Sequence, residues 1–208
     1  LKKVRRALCG WQLYPMAGRK AVSSAMGSCL TGDEGCFPLT TKLDERKHQL
    51  IKGLVQARTK VLQAVRAVPP SRADEIFLGI WSLQDLLAHL EGWDYTNLQA
   101  VQEILAGKPP TFFQYADKDW RSYNQRLVEQ YKRPSLEQLL AELDASHRQL
   151  IAYLESLPAR DVANGKVKRE TGRSVTIRNL LQAEARDETK HAEQVRIYFG
   201  LTESSEGA

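Results

Sequence analysis

Residues 174–199 read SVTIRNLLQAEARDETKHAEQVRIYF, and this stretch decides the fold because it has the pattern of one long amphipathic helix. Thr176 is in position to cap the N-terminus of the helix, and no proline or glycine interrupts the run before Gly200. The apolar residues recur at helical spacing and mark the face expected to be buried: Ile177, Leu180, Leu181, Val195, Tyr198 and Phe199.

The middle of this apolar face is polar. At about 100° per residue, Glu184 and His191 fall near the centre line of the face. Asp187 and Glu188 fall about 50° to either side of that line. A buried ionisable group is costly unless it is paired or binds a metal, so this turn is a candidate functional site. Because Asp187 and His191 are four residues apart, their side chains can also converge on one point.

Three earlier stretches show the same amphipathic pattern, and a shorter one lies between the second and the third. We predict long helices at about residues 43–67, 83–106 and 135–157, and the shorter helix at about 117–131. No strand is convincing, although the loop with Asn164-Gly165 and Thr171-Gly172 leaves a β-turn excursion undecided. The sequence therefore predicts an all-α fold: a four-helix bundle with a short extra helix in the connection between its second and third helices.

The net charge of +5 is unevenly distributed along the 208 residues. Residues 1–40 carry six basic and two acidic side chains, whereas the other 168 residues carry 24 basic and 23 acidic ones. Because the body of the chain is nearly neutral, we expect no nucleic-acid partner. No apolar run reaches the roughly 18 residues that a membrane-spanning helix needs, so we expect no membrane partner either.

The first 40 residues differ from the rest in pattern as well as in charge. They are rich in glycine and serine, lack clear periodicity, and hold all three cysteines, Cys9, Cys29 and Cys36. Their basic start resembles a signal peptide, but glycine, glutamine and proline interrupt the segment that follows. We expect residues 1–40 to be a disordered or non-native extension and residues 41–208 to be one bundle domain. An odd cysteine count confined to this extension fits a cytoplasmic protein.

Several polar residues fall on the apolar faces of the predicted helices. They are Arg58, Asp94, Asn97, His147, Glu184, Asp187 and His191, with His89 at the edge of its stripe. Two imidazoles and a carboxylate would bind a metal ion and leave positions open for water or substrate. Alternatively, the residues form a buried network in which Arg58 pairs with Glu184 or Asp187. We expect His147 and Glu184 to be buried, and to face a shared cavity if the last two long helices are neighbours.

An aromatic segment precedes the short helix. Its rings are Phe112, Phe113, Tyr115, Trp120 and Tyr123. We expect them to cap one end of the bundle. A stacking platform for nucleic acid is the alternative, but too few basic residues are interleaved for a groove that follows phosphates.

Three phrases of the sequence resemble a known family. They are WSLQDLLAHLEGWD at residues 81–94, DASHRQLIAYLESL at residues 144–157 and HAEQ at residues 191–194. In order and spacing they are similar to the DinB/YfiT-like superfamily of four-helix bundles, and in pattern they are closest to its ClbS/DfsB branch. The resemblance covers about residues 43–199 and excludes the first 40.

Members of this superfamily commonly bind a divalent metal ion through one histidine of the second helix and an HxxxH pair of the last helix. His89 matches the first position and His191 the last, whereas Asp187 stands in place of the middle histidine. The resemblance therefore implies that His89, Asp187 and His191 hold zinc, nickel, iron or manganese. The aspartate either completes a site of two histidines and one carboxylate or leaves the chain without a bound metal.

The resemblance also implies a function. It implies that the chain is a metal-dependent hydrolase or transferase whose small-molecule substrate is a reactive, electrophilic compound. Such a reaction would serve detoxification or self-protection. Glu184 and His147 are the catalytic acid and base candidates beside the metal. The alternative is a non-catalytic protein of the same fold that binds or sequesters a small molecule. Homodimers are frequent in the superfamily, and a homodimer is the expected partner arrangement.

Overall fold

The computed structural model describes residues 41–116 and 119–201, and it confirms the predicted four-helix bundle. In chain order the elements are α1 (Lys42–Arg66), α2 (Leu83–Leu105), α3 (Phe113–Ala116), α4 (Trp120–Tyr131), α5 (Leu136–Ser156), α6 (Ala159–Asn164), β1 (Lys166–Lys168), β2 (Ser174–Thr176) and α7 (Ile177–Phe199). The long helices α1, α2, α5 and α7 begin and end within three residues of their predicted bounds. The predicted N-terminal extension, residues 1–40, lies outside the described residues.

The shorter elements depart more from the predictions. The extra helix is α4, which starts at Trp120 because the Asp119 carboxylate accepts hydrogen bonds from the backbone N–H groups of Arg121 and Ser122. In the loop that the sequence left undecided, residues 166–168 pair antiparallel with residues 174–176. The sequence analysis did not detect these two strands because three residues are too few to establish an alternating pattern.

Capping residues set the ends of the long helices. Ser82 and Asp85 form a capping box: the Ser82 Oγ accepts from the Asp85 N–H, and the Asp85 carboxylate accepts from the Ser82 N–H. Thr176 caps α7, as predicted, by accepting a hydrogen bond from the N–H of Asn179 at 3.0 Å. The same helix ends at Gly200, whose φ of 65° lies in the left-handed region that glycine adopts without strain.

The long helices do not pack in chain order. α1 packs along α7, and α2 packs along α5, with shorter contacts between α2 and α7 and between α1 and α5. The last two long helices, α5 and α7, therefore lie diagonally across the bundle. α4 packs against α2, and the long connection between α2 and α5 gives the chain enough length to reach these positions.

The core consists of two apolar layers with a polar layer between them. The first apolar layer includes Val61, Val65, Leu86, Leu90, Leu139, Leu143, Val195 and Phe199. The second includes Leu50, Leu54, Leu98, Val101, Leu150, Leu154, Ile177 and Leu181. On each long helix, the change from one layer to the other falls at a buried polar residue: Arg58, Asp94, His147 and Glu188. The fold thus brings polar side chains from four helices to one level.

The packing of α4 on α2 depends on Gly92. A Cβ atom at Gly92 would meet the Cβ of Leu127 at 2.8 Å and the Cδ2 of Tyr131 at 3.0 Å, whereas one at Gly53 in α1 would meet nothing within 4 Å. We expect Gly92→Ala to lower the free energy of unfolding by about 1–3 kcal/mol. Gly53→Ala should raise it by about 0.5–1 kcal/mol, because alanine favours a helix. Urea denaturation of both variants checks this, and equal shifts would contradict the close approach of α4.

Candidate metal centre

A buried arginine lies at the centre of the polar layer. Arg58 on α1 donates hydrogen bonds from Nη1 and Nη2 to the two Asp94 oxygens, each at 3.0 Å. It donates to Glu188 from Nε at 3.1 Å and from Nη2 at 2.6 Å, and its Nη1 also reaches the Leu143 carbonyl at 3.2 Å. One guanidinium therefore connects α1 to α2, α5 and α7, and both carboxylates are bound in the two-point geometry that arginine favours.

The partners of Arg58 differ from those that the sequence suggested. Pairing with Glu184 or Asp187 is wrong, since the observed partners are Asp94 and Glu188. The reason is the rotation of α7: Glu188 is fully buried, whereas the Asp187 side chain is 53% exposed. Burial acts to raise the pKa of the Asp94 carboxyl, but the charge of Arg58 outweighs it, so the pKa is lowered and the carboxyl stays ionised.

Glu184 lies one turn before Glu188 on α7 and is buried, as predicted. Its burial, together with the charges of Glu188 and Asp94, raises the pKa of the carboxyl well above its ordinary value. A hydrogen bond of 2.8 Å from Asn97 Nδ2 to Glu184 Oε2 opposes this effect without reversing it. The Glu184 carboxyl therefore keeps its proton to a higher pH than an exposed glutamate does.

Three predicted ligands come together beside this layer. One donor atom from each of His89, Asp187 and His191 lies within 4.8 Å of the other two. The Nε2 of His191 is 3.3 Å from the Oδ2 of Asp187, and the rings of His89 and His191 meet nearly at right angles with centroids 5.6 Å apart. Ligand atoms around a tetrahedral zinc ion are about 3.4 Å apart, so an ion would draw these groups slightly inward.

The charge states of two of the donors suit a divalent cation. Burial, reinforced by His191, lowers the pKa of His89 to about 3, which leaves its imidazole neutral, and its buried Nδ1 has no hydrogen-bond partner in the described part of the chain. A hydrogen bond from His191 lowers the pKa of Asp187, which is therefore a carboxylate. On the far side of the His191 ring, Gln194 Oε1 lies 2.8 Å from Nδ1, and this contact orients the imidazole with its Nε2 toward Asp187.

Two of the candidate ligands, His89 and Asp187, line a cavity of about 580 Å³ between α2, α4 and α7. Its lining comprises His89, Trp93, Asn97, Phe112, Phe113, Trp120, Asn124, Ser174, Val175, Asn179, Leu180, Ala183, Glu184 and Asp187. The aromatic segment predicted to cap the bundle thus supplies one wall, through Phe112, Phe113 and Trp120. Tyr115, by contrast, does not line this cavity and is 51% exposed.

His147 occupies a different place from the one expected of a catalytic base. It is buried, as predicted, but it does not line the cavity, and the shared cavity with Glu184 is not formed because α5 and α7 are diagonal. Its Nδ1 lies 3.7 Å from Asp94 Oδ1, which is too far for a hydrogen bond. Asp94, His147 and Glu188 also resemble a metal-ligand group, but the guanidinium of Arg58 already binds both carboxylates there.

Two contributors to the site were missed from sequence. Gln194 follows His191 by three residues, and this helical spacing was a usable signal for a residue that orients the imidazole. Trp93 falls on the apolar face of α2, and its place in the sequence gives no sign that it lines the cavity. Periodicity cannot separate a core tryptophan from one that faces a cavity, because both fall on the apolar face.

Comparison with known proteins identifies the family. The sequence pattern of the DinB superfamily matches residues 53–195. The chain belongs to the DinB superfamily. The resemblance noted in the sequence is thereby confirmed, and no curated protein matches the chain by sequence.

Three solved structures have a similar fold. An uncharacterised protein from Escherichia coli UTI89 has 17% identity and a TM-score of 0.61, with 73% of this chain and 91% of that chain covered. The colibactin self-resistance protein ClbS, in complex with dsDNA, has 20% identity and a TM-score of 0.63, covering 75% and 96%. YfiT from Bacillus subtilis, described as a probable metal-dependent hydrolase with an unusual four-helix bundle topology, has 19% identity and a TM-score of 0.56, covering 82% and 96%.

One expectation about partners needs correction. The prediction of no nucleic-acid partner is wrong, because ClbS shares this fold and was crystallised with dsDNA. That prediction rested on a nearly neutral total charge, and a total says nothing about local clusters of basic residues.

None of the helices within residues 41–116 and 119–201 is both long enough and apolar enough to cross a membrane.

The raised pKa of Glu184 should have a measurable effect on stability. Its folded-state pKa is raised above the ordinary 4.5, so the folded state binds more protons than the unfolded state as the pH rises above that value. Stability should therefore fall as the pH rises through the folded-state pKa, by up to about 1.4 kcal/mol per pH unit. We expect Glu184→Gln, which cannot ionise, to flatten this dependence. Denaturant titrations at a series of pH values above 4.5 check it, and parallel curves for the two proteins would contradict the raised pKa.

Proposed function

We propose that the chain is a metal-dependent hydrolase that acts on a small, reactive, electrophilic molecule in the cavity, as in detoxification or self-protection. The convergence of His89, Asp187 and His191 on one point at the edge of the cavity is the observation that carries this proposal. The descriptions of YfiT as a probable metal-dependent hydrolase and of ClbS as a self-resistance protein support the reaction class and the biological role.

The residues around the cavity have different chemical roles in this proposal. A divalent ion held by the two histidines and the aspartate would supply Lewis acidity toward an oxygen of the substrate or of water. Glu184 lines the cavity, burial raises the pKa of its carboxyl, and its Oε1 is the oxygen that Asn97 does not occupy. Glu184 is therefore the general acid that we assign to the leaving group. His147 acts at most through Asp94, since it does not line the cavity.

Metal binding is the first test. We expect protein prepared without a histidine tag to contain about one divalent ion per chain, because the three donors match such a site. His89→Ala and His191→Ala should each lose the ion. His48→Ala is the matched control, since His48 is an exposed histidine on α1 outside the site, and it should retain the ion. Elemental analysis by mass spectrometry measures this. Equal metal content in all four proteins, or none in any, would refute the site.

Turnover is the second part of the same test. With 4-nitrophenyl acetate as a model electrophile, the metal-loaded protein should release nitrophenolate faster than His89→Ala does. Glu184→Leu should keep the metal and lose about 10²-fold or more of the rate with phenyl acetate, whose more basic leaving group needs a proton. Its stability should be equal or higher, since apolar packing often replaces a buried polar group without loss. A wild-type rate no higher than that of His89→Ala would remove the hydrolase proposal in favour of binding or sequestration without catalysis.

A second candidate function, contact with double-stranded DNA, is favoured by the charge of the β-hairpin. Residues 166–178 carry the basic side chains Lys166, Lys168, Arg169, Arg173 and Arg178 and the single acid Glu170. Lys166, Lys168 and Arg173 are exposed, and Val167 between the two lysines is buried, so both lysines lie on the outer face. Such a cluster binds phosphates, and ClbS was crystallised with dsDNA.

Salt-dependent binding to a fluorescent duplex of about 20 base pairs tests this candidate. Lys166→Glu with Lys168→Glu should weaken binding about tenfold or more, because both side chains would meet phosphates. The control pair Lys52→Glu with Lys60→Glu changes the charge equally at exposed positions of α1 and should have a smaller effect. Anisotropy measures both. Equal losses of duplex affinity in the two double variants would show that only net charge matters. The hairpin would then be refuted as the DNA-binding surface.

A further inference from the structure

One wall of the cavity is built from aromatic rings that fix one another. Trp93 on α2 and Trp120 on α4 are stacked, with ring centroids 5.7 Å apart and planes inclined by 21°. Phe112 meets Trp93 edge-on at 5.5 Å and 82°, and Phe113 lies 4.2 Å from Phe112. Aromatic faces bind other flat rings with more energy than the buried area alone provides. The wall therefore presents a preformed surface for a planar ring.

Hydrogen bonds hold this wall in position. The Nε1 of Trp93 donates to Asn124 Oδ1 at 3.2 Å, and the Nε1 of Trp81 donates to Gln125 Oε1 at 3.1 Å. Both acceptors are on α4, so two indoles fix the helix that carries Trp120. A surface that is already ordered loses little conformational entropy when a ligand binds to it.

The charges around the cavity select against anions. Among the described residues, none that lines the cavity is a lysine or an arginine. The acidic residues of the lining are Asp187 and Glu184. In the absence of a bound metal ion, an anion placed there would lose its hydration without gaining a cationic partner from the lining. The amides of Asn97, Asn124 and Asn179 offer hydrogen bonds to uncharged polar groups instead.

We propose that the cavity takes an uncharged, planar, ring-containing compound, whose ring stacks on Trp120 and whose polar substituent reaches Asn97 and Glu184. A volume of about 580 Å³ accommodates a fused two-ring compound. This substrate class deepens the proposed hydrolase: the reaction rests on that proposal, whereas binding of the ring does not. The polar substituent would lie beside the candidate metal ligands, where hydrolysis would take place.

Three compounds of similar size separate the effect of planarity on binding from the effect of charge. They are naphthalene-2-carboxamide, the anion naphthalene-2-carboxylate, and the saturated, non-planar decahydronaphthalene-2-carboxamide. Binding to the full chain is measured by isothermal titration calorimetry after removal of divalent ions, since a bound cation would attract the carboxylate. We expect the aromatic carboxamide to bind, and each of the other two to bind about tenfold more weakly or worse. A carboxylate that binds as tightly as the aromatic carboxamide, or no binding by any compound, would overturn the inference.

Two variants locate the ring. Trp120→Leu removes a cavity ring whose residue is 44% exposed, so the fold should tolerate the change, and affinity for the aromatic carboxamide should drop about tenfold. Tyr115→Leu is the matched control, because Tyr115 is a similarly exposed ring outside this cavity, and affinity should be unchanged. Equal affinities of the two variants would overturn the stacking position.

The experiment also separates this inference from the proposed reaction. Carboxamide binding by a wild type that takes up no metal would support the ring site and refute the hydrolase. Turnover of 4-nitrophenyl acetate without any preference for the planar, uncharged compound would support the hydrolase and refute the ring site.

Discussion

A single guanidinium, buried between two carboxylates, is the constraint on which this bundle depends. Arg58, Asp94 and Glu188 together carry one excess negative charge, so a further ionised group in the same layer would be expensive. Burial, and after it the charges of Glu188 and Asp94, raises the pKa of Glu184, one turn away. Removing one partner of a buried ion pair costs about 3–5 kcal/mol, which is a large share of the roughly 5–15 kcal/mol that stabilises a domain. The ion pairs that stabilise the fold therefore also contribute to the raised pKa of a carboxyl that lines the cavity.

The polar layer and the cavity meet at Asn97 and Glu184. Both line the cavity, and their hydrogen bond lies next to the ion pairs of Arg58. Behind them Arg58, Asp94 and Glu188 pair with one another, whereas buried ring nitrogens of His147 and His89 have no hydrogen-bond partner in the described residues. Of these two histidines, His89 lines the cavity and is one of the candidate metal ligands.

Sequence periodicity predicted the long helices and the polar turn of α7, because each helix alternates between a core face and a solvent face. It could not predict the partners of Arg58, since Glu184 and Glu188 are both near the stripe and a small rotation of α7 decides between them. His147 was misplaced for a related reason: helix order in the chain does not reveal which helices are diagonal. The three candidate ligands came from family resemblance and spacing, while the local charge of the hairpin was hidden in a nearly neutral total.

The pairing of α1 with α7 also has a consequence for how the chain folds. These helices stand at opposite ends of the bundle's sequence, and the bond from Arg58 to Glu188 spans 130 residues. Folding must close this long loop before the central ion pairs can form, which is typical of slow, high-contact-order topologies. During synthesis, Arg58 and Asp94 emerge from the ribosome well before Glu188 does. A nascent chain without α7 lacks the helix that packs along α1, so the bonds between Arg58 and Glu188 form only after the last helix has emerged.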